Sequence, residues 1–172
     1  MDLKEKIRVI PDFPKAGISF KDITTLLKDA EALKETVQSM AEHFRDCGIE
    51  MIVGVESRGF ILGAPLAYEM DLGFVLIRKP KKLPGEVLSV EYDLEYGTDN
   101  LEIHADAFPP GTKVLVVDDL LATGGTVEAA IKLIQKLGGE VAGLAFLIEL
   151  TYLGGRQRLA DYDIFSLVRY EE

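Results

Sequence analysis

The order of apolar segments is the feature that most restricts the fold of this chain. Residues 51–55, MIVGV, and residues 74–79, FVLIRK, are short runs of the kind that form buried strands. The stretch between them, which extends to Met70, has the apolar spacing of a helix. A strand, a helix and a second strand in succession favour parallel pairing, because the helix carries the chain back to the same end of the sheet.

The same alternation continues on both sides of this unit. A helix over residues 30–47, ended by Gly48, is predicted because one helical face carries Leu33, Val37, Met40, Ala41 and Phe44. Later, a strand over 114–117 precedes a helix over 126–137 and two further strands, over 141–148 and 165–168.

A chain of 172 residues is long enough for one domain with a substantial core. We therefore expect a single doubly wound α/β domain over residues 1–172, in which helices flank a mostly parallel sheet. Residues 1–29 would form a small N-terminal appendage to it.

Residues 87–104 follow a different period from the rest of the chain. Leu88, Val90, Tyr92 and Leu94 alternate with polar residues, Gly97 is a turn residue, and Leu101 and Ile103 resume the alternation. This pattern predicts a long antiparallel hairpin that is inserted into the α/β order and stands off the main sheet.

Composition limits the partners of the chain. With 29 acidic and 19 basic residues, the net charge of −10 repels nucleic acid over most of the surface, so we expect no nucleic-acid partner. No apolar run is long enough to span a bilayer and the N-terminal residues lack an apolar signal core, so we expect no membrane partner and a cytoplasmic location. The single cysteine, Cys47, is expected to pack at the end of a helix.

The segment VLVVDDLLATGGT, residues 114–126, contains the strongest functional signal. Asp118 and Asp119 are expected immediately past the carboxyl end of an apolar strand, the edge of a parallel sheet where ligands bind. Two adjacent carboxylates at the rim of a core are unfavourable unless ligand hydroxyls, water or a divalent cation compensate their charge. A ribose diol together with Mg²⁺ would meet that requirement.

The loop after these acids is suited to an anion. Ala122, Thr123, Gly124, Gly125 and Thr126 open a helix, where glycines let backbone amides approach a ligand and threonine hydroxyls add donors. The loop lacks the lysine of GxxxxGK[ST] and the spacing of GxGxxG, so ATP hydrolysis and dinucleotide binding are not indicated. The alternative is a capped turn that only starts the helix.

This segment resembles the phosphoribosyl pyrophosphate motif of the type I phosphoribosyltransferases. The resemblance implies that Asp118 and Asp119 hold the ribose hydroxyls and that residues 122–126 hold the 5′-phosphate. It also implies a reaction in which a base nitrogen displaces pyrophosphate from the ribose C1. Mg²⁺ would be held by the substrate, with no direct protein ligand and at most a water bridge to the two acids.

Three other stretches are similar to the members of that family that act on adenine. The first, PDFPKAGISFKDIT at residues 11–24, corresponds to a hood over the purine. Its implied base contacts are Ile18, Ser19, Phe20 and Lys21, and Leu150 matches a position that packs on the base. From the residues alone, the apolar side chains of this stretch would simply pin the N-terminus to the core, and Leu150 would be ordinary core.

The second stretch is Glu56-Ser57-Arg58-Gly59, which follows the strand at 51–55. Arg58 at a helix N-terminus supplies a fixed cation for departing pyrophosphate, and the alternative is a surface arginine. Family members often have a cis peptide in this loop, which would here be Glu56-Ser57. The nearby basic cluster, which would add Arg78, Lys79 and Lys82 to the pyrophosphate site, is otherwise a solvated charge run.

The third stretch, residues 94–98, lies at the hairpin tip and is similar to a mobile loop that closes the active site. Glu95 is then the acid-base group beside the purine, or else a solvent-facing turn residue. The resemblance implies a purine-salvage enzyme that is a homodimer and uses Mg²⁺, adenine and phosphoribosyl pyrophosphate. Two alternatives stay open, namely an enzyme acting on hypoxanthine, guanine or xanthine, and a regulator that keeps this fold and controls DNA or RNA.

Overall fold

The computed structural model describes residues 1–94 and 96–172. In chain order its strands are β1 Arg8–Ile10, β2 Phe20–Asp22, β3 Met51–Val55, β4 Gly73–Ile77, β5 Val87–Asp93, β6 Thr98–His104, β7 Lys113–Leu121, β8 Glu140–Leu150 and β9 Ile164–Tyr170. Its helices are α1 Thr24–Leu27, α2 Ala30–Phe44, α3 Arg58–Glu69, α4 Gly125–Lys136 and α5 Gly155–Arg158, with 3-10 turns at Leu3–Lys6 and Thr151–Leu153.

Five of these strands form the central sheet, in the order β4-β3-β7-β8-β9. Each neighbouring pair is parallel. The chain therefore crosses from β3 to β4 in one direction and from β7 through β8 to β9 in the other, which is the doubly wound arrangement expected from the sequence. The reversal of strand order lies between β3 and β7, where a ligand site is expected.

Side chains on the two faces of the sheet pack into two apolar clusters. Leu115 and Val117 belong to the cluster covered by α2 and α3, whereas Val114 and Val116 belong to the cluster covered by α4. All four are fully buried, because a parallel strand between two helical layers has no solvent face. This burial of β7 fixes the position of the acids that follow.

The hairpin of β5 and β6 forms a separate antiparallel sheet, as expected. It lies over α4, where Val90, Leu101 and Ile103 are buried and Lys136 Nζ donates a 3.2 Å hydrogen bond to the Ser89 carbonyl. Its connection to the central sheet is a pair of backbone hydrogen bonds between Arg78 and Glu102. The hairpin thus stands off the sheet but rests on α4.

The N-terminal segment pairs β1 with β2, and its buried side chains, such as Leu3 and Ile7, pack into the apolar cluster covered by α2 and α3. Within the segment Arg8 Nε donates to Asp22 at 3.0 Å, and Lys4 Nζ ties the segment to β9 by donating to the Arg169 carbonyl at 3.0 Å. Hydrogen bonds from Thr24 and Arg8 lower the pKa of Asp22 to about 2.

None of the described helices combines the length and apolar composition that crossing a bilayer requires.

Three expectations about local structure are wrong. The strand at 114–117 does not end before the acids, because parallel pairing with the eleven-residue β8 continues through Leu121, so Asp118 and Asp119 lie inside β7. The helix expected over 30–47 ends at Phe44. Cys47 is exposed rather than packed, since it lies in the turn beyond that end.

Candidate active site

A cavity of about 350 Å³ opens at the carboxyl ends of β3 and β7. Its walls come from the β3–α3 loop, the end of β7 and the start of α4, and its lining includes Arg58, Lys79, Asp118, Asp119 and residues 124–126. Helix N-termini and loop amides converge at this edge of a parallel sheet. The cavity therefore combines cationic, anionic and backbone-donor groups in one place.

One of the two acids is paired with an arginine from α3. Arg58 Nε donates a 2.6 Å hydrogen bond to Asp119 Oδ2, and the Asp119 side chain is only 9% exposed whereas that of Arg58 is 53% exposed. The charge of Asp119 raises the pKa of Arg58, although burial opposes this. Asp119 thus holds the Arg58 guanidinium at the cavity wall, and some of the N–H donors of that guanidinium face solvent.

The second acid, Asp118, forms no ion pair of its own within the described residues. Burial raises the pKa of Asp118 well above its ordinary value, and the neighbouring Asp119 raises it further. The Asp119 amide donates to Asp118 Oδ1 at 2.8 Å, which compensates only part of the cost. Asp118 is therefore a carboxyl that gains from a ligand hydroxyl or a cation in the cavity.

Close packing brings the start of α3 against β7. A Cβ atom on Gly59 would lie 2.7 Å from the Val117 carbonyl oxygen and 3.3 Å from Asp118 Oδ1. No larger residue fits there, so glycine lets Arg58 approach the acids. The Glu56-Ser57 peptide that precedes α3 is cis, as the family resemblance implied.

The loop expected to bind phosphate forms the opposite wall. Gly124 has a φ of 91°, in the left-handed region, and is the N-cap of α4, which begins at Gly125. Ala122, Gly124, Gly125 and Thr126 line the cavity, whereas Thr123 is not among its lining residues. The first-turn amides of α4 lack helical partners, so this wall offers donors to an anion.

Glu56 supports the basic cluster. Its Oε1 accepts hydrogen bonds from Arg78 Nε at 2.8 Å and from the Lys79 amide at 3.3 Å. Burial alone would raise the pKa of Glu56, but these donors lower it. Arg78 and Lys79 are thus tied to the β3–α3 loop, although only Lys79 of the basic cluster lines the cavity. Lys82 is exposed outside it.

Lys79 connects the cavity to the hairpin. Its ammonium donates to Asp99 and, at 3.1 Å, to the Tyr92 hydroxyl. Burial would lower the pKa of Lys79, but these two partners raise it. Asp99 and Tyr92 were not among the predicted site residues. They pair directly across β5 and β6, a register that placing Leu88 opposite Ile103 and Val90 opposite Leu101 would have given.

The hood residues lie apart from this cavity, and none of Ile18, Ser19, Phe20, Lys21 or Leu150 lines it. Ile18 is 43% exposed, so it does not pin the N-terminus to the core. Lys21 is buried, with its Nζ donating to Ser19 Oγ at 2.8 Å and lying 4.4 Å from the centre of the Tyr170 ring. Leu150 is half-buried and pairs with Tyr170 at the same sheet edge.

Glu95, expected as the acid-base group, lies outside the described residues. Within residues 1–94 and 96–172, no group of three histidine, cysteine, aspartate or glutamate side chains is arranged to hold a metal ion. Among the described residues, the carboxylates that line the cavity are those of Glu56, Asp118 and Asp119.

Comparison with known proteins gives one consistent family. Residues 22–169 match the model of the phosphoribosyl transferase domain. An adenine phosphoribosyltransferase of Clostridium perfringens is 61% identical over 171 residues, which cover 99% of each chain.

Two solved structures agree with that match. The crystal structure of adenine phosphoribosyltransferase from Thermoanaerobacter pseudethanolicus has a TM-score of 0.95 and 55% identity, and covers 98% of each chain. That of the Saccharomyces cerevisiae enzyme, complexed with an imino-altritol bisphosphate and adenine, has a TM-score of 0.90 and 38% identity, and covers 96% of each chain.

The raised pKa of Asp118 gives a testable effect on stability. The unfolded carboxyl ionises near its usual pKa of 3.8, whereas the folded one stays protonated to higher pH, so folding loses stability as pH rises between the two values. Asp118→Asn removes that loss and keeps the acceptor for the Asp119 amide. In urea unfolding, the free energy of unfolding of the variant should increase relative to that of the wild type as pH rises from about 4 to 7.

The exposed Asp161→Asn is the matched control for this comparison. Parallel pH profiles for the wild type and Asp118→Asn would contradict the account of a costly buried carboxyl.

Proposed function

This chain belongs to the phosphoribosyltransferase family, and we propose that it transfers the 5-phosphoribosyl group from phosphoribosyl pyrophosphate to adenine, which gives AMP and pyrophosphate. The observation that carries this function is the convergence of Asp118, Asp119 and Arg58 with the N-terminus of α4 in one cavity. The reaction is a purine-salvage step, and it requires the site to hold a ribose, a phosphate and a pyrophosphate at once.

The ribose and its 5′-phosphate occupy adjoining walls in this proposal. Asp118 and Asp119 accept hydrogen bonds from the ribose hydroxyls, which offsets the cost of burying two carboxylates. The 5′-phosphate lies against residues 122–126, where the amides of the first turn of α4 and the threonine hydroxyls donate to it. Both contacts hold the C1 atom at a fixed place in the cavity.

The pyrophosphate group lies between the β3–α3 loop and the basic cluster. Arg58 bonds to Asp119 through Nε, so its terminal nitrogens have no partner among the described residues, and the amides at Ser57 and Arg58 open α3. Lys79 adds a cation at the cavity wall, and Arg78 and Lys82 extend the positive field outward. Glu56 acts through Arg78 and Lys79, because its carboxylate accepts from both.

Mg²⁺ fits the donor set of this cavity. Two carboxylates, one of them costly to ionise, adjoin the place of a highly charged substrate, and hard oxygen ligands are the ones that Mg²⁺ prefers. We propose that the substrate holds the ion, with water bridging it to Asp118 and Asp119. When bound, Mg²⁺ would neutralise charge that develops on the leaving pyrophosphate.

Adenine is favoured over purines that carry an oxygen at C6. Such bases need a basic donor in the pocket, and among the implied base contacts Lys21 is the residue of that type. Its ammonium is already committed to Ser19 and to the Tyr170 ring. Burial, followed by the charge of Lys4, lowers its pKa. Ile18, Phe20 and Leu150 then supply apolar contacts to a flat, uncharged base once the hood closes on the cavity.

In the chemical step one bond to the ribose C1 forms and another breaks. The purine N9 attacks C1, the bond to pyrophosphate breaks with its electron pair, and a proton must leave or move within the base. We propose that Glu95 handles that proton at the purine N7. The bonds of Lys79 to Asp99 and Tyr92 support a hairpin that is coupled to the pyrophosphate site, and closing it would exclude water.

We also propose a cytoplasmic homodimer. Ile61 and Tyr68 on α3 are exposed apolar side chains, at 45% and 89%, of the kind that a subunit interface covers. A sedimentation measurement of mass in solution tests this, and a monomer would contradict it.

The base preference is tested by mixing the protein with Mg²⁺, phosphoribosyl pyrophosphate and each of adenine, hypoxanthine, guanine and xanthine. The committed ammonium of Lys21 predicts that kcat/KM for adenine exceeds that for each of the other bases by at least ~10²-fold. Absence of AMP would sink the proposed function, and more product from guanine would assign the chain to 6-oxopurines. Nucleotide-responsive binding of DNA or RNA without turnover would favour a regulator.

Glu95→Gln tests the acid-base assignment. Loss of a positioned proton-transfer group should lower kcat by roughly 10²- to 10⁴-fold. Because the change removes no substrate-binding group, the KM for phosphoribosyl pyrophosphate should stay within about 2-fold. The exposed Glu91→Gln on the same hairpin is the control and should behave as wild type. Full activity of Glu95→Gln would remove Glu95 from the mechanism.

A further inference from the structure

Helix α5 lies directly against the loop proposed to bind the 5′-phosphate. A Cβ atom on Gly155 would be 2.5 Å from the Ala122 carbonyl oxygen and 2.8 Å from Leu121 Cδ1. Gly155 is buried, so the two backbones meet with no side chain between them. Any movement of α5 therefore presses on the loop that carries Gly124 and Gly125.

This short helix is anchored to the sheet by a buried carboxylate. Glu149 on β8 is 2% exposed, and it accepts hydrogen bonds from Arg156 Nε at 3.0 Å and from Ser166 Oγ at 2.7 Å. The hydrogen bond from Arg156 is the main cause of a lowered pKa of this carboxyl, and Ser166 lowers it further. The network fixes α5 in place, since breaking one partner would leave a buried charge uncompensated.

Arg158, at the end of α5, packs behind the glycine pair of the phosphate loop. Its Cδ lies 3.5 Å from the position of a Cβ on Gly124, and its Nη1 lies 3.5 Å from that of a Cβ on Gly125. Arg158 does not line the cavity. A direct contact with the phosphate is therefore not its role in this structure.

The guanidinium of Arg158 is instead bonded to a carboxylate in the first turn of α4. Arg158 Nε donates to Glu128 Oε2 at 2.9 Å, and its Nη2 donates to Oε1 at 3.2 Å. Lys132 on α4 also faces this carboxylate, but its Nζ lies 3.8 Å from Oε1, too far for a hydrogen bond. The hydrogen bond from Arg158 lowers the pKa of Glu128 below its ordinary value. Two elements that the sequence separates by a strand and two loops are thus joined at the phosphate loop.

The Glu128 carboxylate competes with a bound phosphate for the positive N-terminal end of α4. Its amide donates to the Gly124 carbonyl at 2.9 Å, and side chains on a helix lean toward its N-terminus. A carboxylate so placed is attracted by the helix dipole, as a phosphate is, and it repels a phosphate bound there. A cation must therefore bind the Glu128 carboxylate and neutralise its charge for an anion to bind at the start of α4.

We propose that Arg158 is a positioning residue for the 5′-phosphate, because it clamps Glu128 and cancels its charge beside the phosphate loop. The inference rests on the proposed function, in which residues 122–126 hold that phosphate. Arg158 acts through the charge of Glu128, which it neutralises beside Gly124 and Gly125. It should affect the phosphorylated substrate and leave adenine binding unchanged.

The test is a double-mutant cycle of Arg158→Ala and Glu128→Gln, measured as steady-state kinetics with Mg²⁺, phosphoribosyl pyrophosphate and adenine. Arg158→Ala should raise the KM for phosphoribosyl pyrophosphate about 3- to 10-fold, with kcat and the KM for adenine within about 2-fold. Because the cause is a bare charge, ~0.5 M salt should reduce the defect. Arg158→Lys should retain most of the wild-type KM.

Glu128→Gln in the Arg158→Ala background should restore the KM, since it removes the charge that Arg158 cancels. Arg45→Ala, which breaks an exposed ion pair with Glu42 on α2, is the matched control. An unchanged KM in Arg158→Ala, or a defect that persists in the double variant, would overturn the inference. Activity of the wild type in the same assay separates that failure from failure of the proposed function.

Discussion

Two adjacent carboxylates lie near the carboxyl end of the buried strand β7, and the elements around them pack so that part of their charge is compensated. Asp119 is compensated by Arg58, and Asp118 keeps a raised pKa because burial and Asp119 both oppose its charge. The fold therefore buries the Asp118 carboxyl at the floor of an open cavity, and ionising that carboxyl lowers the free energy of unfolding. A ligand that brings hydroxyls or a cation to Asp118 recovers that free energy as binding.

Close backbone contacts turn this pair of acids into a site. Gly59 lets α3 bring Arg58 onto the end of β7, and Gly155 lets α5 support the loop on the other side. Lys79 links the same cavity to the hairpin through Asp99 and Tyr92. Groups from distant parts of the chain are thus held on strand and helix ends, while the hairpin and the N-terminal hood remain at its margins. We propose that these two segments close over the walls of the cavity and exclude water during the reaction.

The sheet and the core of the site were predictable because their signals are local. Apolar runs separated by helical periods gave the parallel strands, and the acids with the glycine pair marked the cavity. Strand β7 continues through the acids because β8 supplies backbone partners, which a count of apolar residues does not register. Cys47 is exposed because α2 ends one turn early. The bonds of Arg158 to Glu128 and of Lys79 to Asp99 join distant segments, so only the folded chain reveals them.

The central claim is that one sheet edge binds all three parts of phosphoribosyl pyrophosphate. A crystal structure of the protein with Mg²⁺ and phosphoribosyl pyrophosphate tests it most directly. The account predicts ribose hydroxyls within hydrogen-bond distance of Asp118 and Asp119, the 5′-phosphate on the amides of residues 124–126, and pyrophosphate beside Arg58. A substrate whose ribose contacts neither acid, or whose 5′-phosphate lies away from the start of α4, would contradict it.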